Sequence, residues 1–159
     1  PDHANGTTPI LINPPQSSAG GYINGVRAYN KLPVAAKTWL LASGGHPLTL
    51  TVISTRAFDL ASEKGLYEPV SEGLLRSSQV PFAEGDSVRL SGMIITVMEA
   101  KDGVPTRARY QFAQPLDSDA YHFYHWNRGK VQDCPLPAKG QSLLIRLDTE
   151  TCVPASPTP

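Results

Sequence analysis

Met93-Ile94-Ile95-Thr96-Val97-Met98-Glu99, then Lys101-Asp102-Gly103, then Thr106-Arg107-Ala108-Arg109-Tyr110-Gln111-Phe112 is the stretch whose reading decides the fold. Ala108, Tyr110 and Phe112 alternate with Arg107, Arg109 and Gln111, so a strand here has one apolar face and one cationic face. Asp-Gly between two such runs is a two-residue hairpin signal, because both loop positions need positive φ. The stretch predicts an antiparallel hairpin with Tyr110 and Phe112 in the core.

Working outward, further strand signals appear at Ala120 to Trp126, closed by a turn at Asn127-Arg128-Gly129-Lys130, and at Ser142 to Leu147. Gly73 to Ser77 and Ser87 to Leu90 are shorter candidates. Lys37 to Ala42 and Leu48 to Ser54 flank Ser43-Gly44-Gly45-His46-Pro47 and are read as a second hairpin. A helix is the rival for its first half, with Leu32 as staple, Pro33 at its first position and Gly44 beyond its end. Tyr22-Ile23-Asn24-Gly25-Val26-Arg27 carries the Asn-Gly pair of a type I′ turn. About eight short strands at regular spacing predict a mainly β fold, an antiparallel sandwich or barrel, with no internal repeat.

The ends differ from the body. Residues 1–21, through Thr8-Pro9-Ile10-Leu11-Ile12-Asn13-Pro14-Pro15, lack periodicity and read as an extended arm; residues 22–151 form the β domain; residues 152–159 are a proline-rich tail. Proline at this density removes ladder donors. The three apolar side chains of Ile10, Leu11 and Ile12 cannot form a core alone, so the arm is expected to be held by contact, with another chain in preference to its own domain.

At 159 residues the chain has the size of one domain. Fourteen basic residues balance fourteen acidic ones, which removes the broad positive surface of a nucleic-acid binder. No apolar run approaches the roughly 18 residues that cross a bilayer; Val34 to Ala42 is interrupted by Lys37 and Thr38. The chain opens without Met, which leaves room for a removed signal or anchor. Cys134 and Cys152 flank the Ser142 to Leu147 strand, and a disulfide between them would stabilise by about 3 kcal/mol. That pairing places the protein outside the reducing cytosol, periplasmic or secreted.

Catalytic signatures are absent from the sequence. Ser43-Gly44-Gly45 and Leu90-Ser91-Gly92 are not nucleophile elbows, and Cys134 lies in a loop before Pro135 with no base nearby. Glu63, Glu68, Glu72, Glu84, Asp86, Asp117 and Asp119 fall in predicted loops, and Asp117-Ser118-Asp119 lacks the glycine and terminal glutamate of a calcium loop. Asn5-Gly6-Thr7 matches the glycosylation sequon, a short pattern frequent by chance.

Tyr121-His122-Phe123-Tyr124-His125-Trp126 is the most suggestive segment. On a strand its two histidines point to opposite faces, which counts against a zinc site built from His122, His125, Cys134 and Cys152. No cofactor is called for.

These observations favour a non-catalytic interaction or assembly module, with a protein partner or a second copy as ligand. Ile10, Leu11, Ile12, Arg107, Arg109, Tyr124 and Trp126 are the candidate contacts, although arginines such as Arg107 and Arg109 far more commonly just keep an outer sheet face hydrated. The runner-up is a barrel that encloses a small molecule. A deep cavity lined by Val97, Tyr110, Phe112 and Phe123 would favour it; a solid core would favour assembly.

Overall fold

In a computed structural model, residues 6–15, 18–67, 80–147 and 153–154 are described. The predicted hairpin is there: β6, Met93–Lys101, pairs antiparallel with β7, Val104–Phe112. Asp102 (φ 52°) and Gly103 (φ 78°) make its loop, the double positive-φ geometry of a type I′ turn. A Cβ added at Gly103 would lie 2.6 Å from the Pro81 side chain, so glycine is needed there for space as well. Tyr110 and Phe112 are buried, as the alternation requires.

The hairpin seeds a seven-stranded, all-antiparallel sheet. On one side β7 pairs with β4 (Ala57–Ala61), which pairs with β3 (Leu48–Ser54), then β10 (Ser142–Ile145) and β11 (Val153–Pro154). On the other side β6 pairs with β5 (Ser87–Leu90), the last strand of the sheet among the described residues. Strand β4 was missed in the sequence because it is only five residues long, although Phe58 and Leu60 face the core while Asp59 faces away.

A second, four-stranded sheet is ordered β2 (Trp39–Leu40), β1 (Thr8–Leu11), β8 (Tyr121–Asn127), β9 (Lys130–Asp133). Here three expectations are corrected. Residues 8–12 of the arm expected to be held by another chain are internal to their own domain: β1 runs parallel to β2 on one side and β8 on the other, and Ile10, Leu11 and Ile12 are buried. The Asn24-Gly25 hairpin is instead within the helix α1, Ala19–Tyr29; two-residue flanks are too short to hold a hairpin, and Gly25 keeps a negative-φ backbone. The helix ends where Asn30 donates both its backbone N–H and its Nδ2 to Val26 O, and Lys31 turns the chain at φ 56°.

The third correction concerns Lys37 to Ala42 and Leu48 to Ser54. They form neither a mutual hairpin nor a helix: β2 belongs to the small sheet and β3 to the large one. Residues 43–47 cross between layers, because the apolar side chains at both ends serve one core from opposite sides. Tyr110 Oη, in the large sheet, donates to Leu41 O just past β2 at 2.6 Å, a buried tie across the layers.

The two sheets therefore form a sandwich, and neither closes into a barrel among the described residues. Its centre is aromatic. Phe58 lies 5.3 Å from Phe112 and 5.9 Å from Phe123, centroid to centroid, and Phe112 meets Phe123 edge-on at 80°. Ile10 and Ile12 pack from the small sheet into the cluster that holds Leu48, Leu50, Leu60 and Ile145. The three rings proposed for a ligand cavity, Tyr110, Phe112 and Phe123, are packed into this core.

The Gly73 to Ser77 strand, the sequon at Asn5, Glu68, Glu72, Cys152 and the tail other than Val153–Pro154 lie outside the described residues.

Candidate binding surfaces

Seven strands face four, and at about 4.8 Å per strand the larger sheet is wider by roughly 14 Å. The excess shows at β5 and β6, beyond the β2 edge of the small sheet. There the inner face of the large sheet carries Val88, Ile95, Val97 and Tyr110, and the cover is made by Leu40, Leu66 and Phe82. The result is an apolar cleft of about 320 Å³. Its one carboxylate, Asp86, accepts the Ala83 N–H at 3.0 Å.

Strand β5 forms the lip of this cleft, and all four of its residues are exposed. Val88 retains 42% of its surface and Leu90 40%. The direction of its hydrogen bonds follows from two contacts. Val97 N–H donates to Asp86 O at 2.8 Å, and Ala113 N–H donates to Gly92 O at 3.0 Å. By antiparallel alternation, residues 93, 95 and 97 of β6 face β5, while 92, 94 and 96 face β7. Through the register, Val88 and Leu90 bond inward, and Ser87 and Arg89 turn their N–H and C=O groups out to an edge that carries no further strand among the described residues.

Arg107 and Arg109 stand on the outer face of the large sheet, and both are committed within the chain. Asp59, buried on β4, takes Arg107 Nη2 at 2.8 Å and Arg109 Nε at 2.8 Å; Arg107 Nη1 reaches Glu99 at 3.2 Å. Burial pushes the Asp59 carboxyl up, but the hydrogen bonds and charges of Arg109 and Arg107 outweigh it and hold the group below 3.8. The same contacts raise both guanidinium values. These arginines saturate a buried carboxylate, a role the sequence left open because β4 was not seen.

The aromatic strand β8 divides its side chains as alternation predicts. Phe123 and His125 are buried on one side; Tyr124 and Trp126 lie on the other, with Tyr124 buried and Trp126 half-buried. Burial, reinforced by the Asp133 charge and opposed by Arg27 of α1, pushes the Tyr124 phenol up to about 12. His122 stacks flat on Tyr124 at 4.4 Å and holds Asp133 Oδ1 at 3.0 Å from its Nε2. His125 keeps its Nδ1 buried without a partner, and desolvation lowers its pKa. Among the described residues no three His, Cys, Asp or Glu side chains come together as a metal site. His122 and His125 are on opposite faces of β8, and Cys152 of the zinc reading lies outside the described residues.

A second concavity opens at the end of the sandwich, where the β3–β4 turn, the start of β8 and residues 134–139 meet. It measures about 770 Å³, with Val52, Leu116, Phe123 and buried Cys134 among its apolar walls. Neither it nor the β5 cleft could be read from the sequence, since each is bounded by segments far apart in the chain.

Compared with known proteins, the chain matches no family model, no curated protein and no solved structure. Among the described residues no helix is long and apolar enough to cross a membrane.

Proposed function

We propose that the chain is an interaction module that takes an extended segment of a partner protein along β5. The observation that carries this reading is the ladder edge at Ser87 and Arg89, unpaired among the described residues and set beside an apolar cleft. A strand added there would gain backbone hydrogen bonds from the edge and place alternate side chains against Val88 and Leu90. Proteins usually blunt such an edge with charge, proline or a covering loop. Arg89 is the only charged side chain on β5.

Selection from a library of displayed linear peptides tests the proposal. Apolar residues at alternate positions are expected in the selected sequences. Arg89→Pro removes one outward donor and leaves the inward bonds of β5 in place, so the fold tolerates it. A ladder bond contributes about 0.5–1.5 kcal/mol, so the Kd should rise up to about tenfold, and Val88→Asp should weaken binding further. Peptides that bind the Arg89→Pro variant as tightly as the parent would overturn the reading. So would a concentration-dependent dimer that Arg89→Pro abolishes, because β5 would then be pairing with itself.

The proposal includes work outside the reducing cytosol, supported by the even pair of cysteines in a small β-rich chain. Protein from an oxidising compartment, denatured without reductant, is expected to weigh two hydrogens less than the reduced chain. Equal masses would remove the disulfide and with it the argument for location.

A further inference from the structure

We infer that the groove at the sandwich end is a separate binding site, for a small organic cation: a protonated amine carried on an apolar body. Its volume of about 770 Å³ falls within the roughly 300–1,000 Å³ of small-molecule sites. Most of its wall is apolar, with Val52 and Leu116 buried at the base and Phe123 beside them. That base suits a hydrocarbon or aromatic body.

The rim selects the sign of charge. Asp117 and Asp133 both line the groove, against the single ammonium of Lys139. Asp133 is positioned from two sides: its strand pairs with β8 at Tyr124, and its Oδ1 lies 3.0 Å from His122 Nε2. Its second oxygen has no hydrogen bond of its own among the described contacts, and a carboxylate oxygen has room for more than one donor. Tyr121 adds an aromatic wall whose hydroxyl oxygen accepts the Gln114 N–H at 3.2 Å, which fixes the ring. Aromatic faces attract ammonium groups through the ring quadrupole, so the wall and the rim prefer the same ligand. An anion of equal size would meet two carboxylates.

This site is independent of β5, and its test can fail without touching the peptide reading. Hexylammonium, hexanol and hexanoate share one chain length and differ in charge. Titration calorimetry on the whole chain is expected to rank hexylammonium first, with hexanoate weaker by about tenfold or more, about 1.4 kcal/mol. Asp117→Asn and Asp133→Asn should each reduce the preference for the cation over hexanol and leave hexanol itself unchanged. Ala138→Trp, at an exposed position on the rim, should block all three probes; because the parent side chain is exposed, the fold is not at stake. The inference is overturned if hexanoate binds as well as hexylammonium, if no probe binds, or if binding survives Ala138→Trp.

Discussion

The β6–β7 hairpin and strand β1 are both buried parts of one sandwich, yet they are specified in opposite ways. The hairpin's strands are separated by two residues, Asp102 and Gly103, and its alternation declares which face is inside. Strand β1 pairs with partners far along the chain: Leu11 lies opposite Leu40 and Tyr124, and Thr7 Oγ1 donates to Asp119 O across 112 positions. Both of its pairings are parallel, which demands long crossovers in place of a tight turn. The contrast teaches that a local pairing writes its register into adjacent residues, while a parallel one writes only composition.

That composition was present. Ile10-Leu11-Ile12 is a continuous apolar run, the signature of a parallel strand covered on both faces. Read as an arm, it needed another chain; read as β1, it completes the core. Replacing Ile10 and Ile12 together with alanine is the largest way to break the comparison. Each truncation costs about 2–5 kcal/mol, and the sum approaches the whole stability of a typical domain, about 5–15 kcal/mol. Loss of the cooperative unfolding transition, followed by circular dichroism, is expected. Retained stability with altered association would restore the arm.

A smaller effect sharpens the other half. Phe112→Ala opens the aromatic centre and is expected to cost about 3–5 kcal/mol. Arg109→Ala leaves Asp59 with Arg107 and is expected to cost about 1 kcal/mol. Denaturant midpoints of the two variants measure the ratio. Equal shifts would mean that the two faces of β7 are not the unequal pair their burial indicates.

The same division explains how much of the fold and the sites the sequence disclosed. Mainly β architecture, the β6–β7 hairpin, β8 with its Arg128-Gly129 turn, β5 and β10 were legible because period-two alternation and turn residues are local. The sheet partners of β2 and β3 were not, since the two strands are neighbours in sequence and belong to different layers. Helix α1 was hidden by an Asn-Gly pair that elsewhere marks a turn. Of the candidate contact residues, Arg107 and Arg109 were seen, but their partner Asp59 sits on the unrecognised β4. The outward-facing edge at Ser87 and Arg89 follows only from knowing that β5 is the last strand of its sheet among the described residues. The end groove needs the positions of three distant segments.

The smallest effect separates the two regions by acidity. His125 belongs to β8, the direct neighbour of β1, and burial holds its pKa below the ordinary 6.5. As pH falls through about 6.5, the unfolded chain takes up a proton on this ring and the folded chain resists, so stability present above that value is lost below it. Asp59 belongs to β4, against the hairpin, and its folded value lies below 3.8. Its contribution is intact above 3.8 and disappears only as pH falls further, when the unfolded carboxylate protonates first. Denaturant midpoints measured from neutrality downward should fall in two stages. His125→Gln, which cannot take up the proton, should flatten the upper stage alone, and Asp59→Asn should flatten the lower stage alone after an overall loss from leaving two guanidinium groups without their shared carboxylate. An upper stage that persists undiminished in His125→Gln would show that the β1–β8 region carries no buried neutral imidazole of consequence.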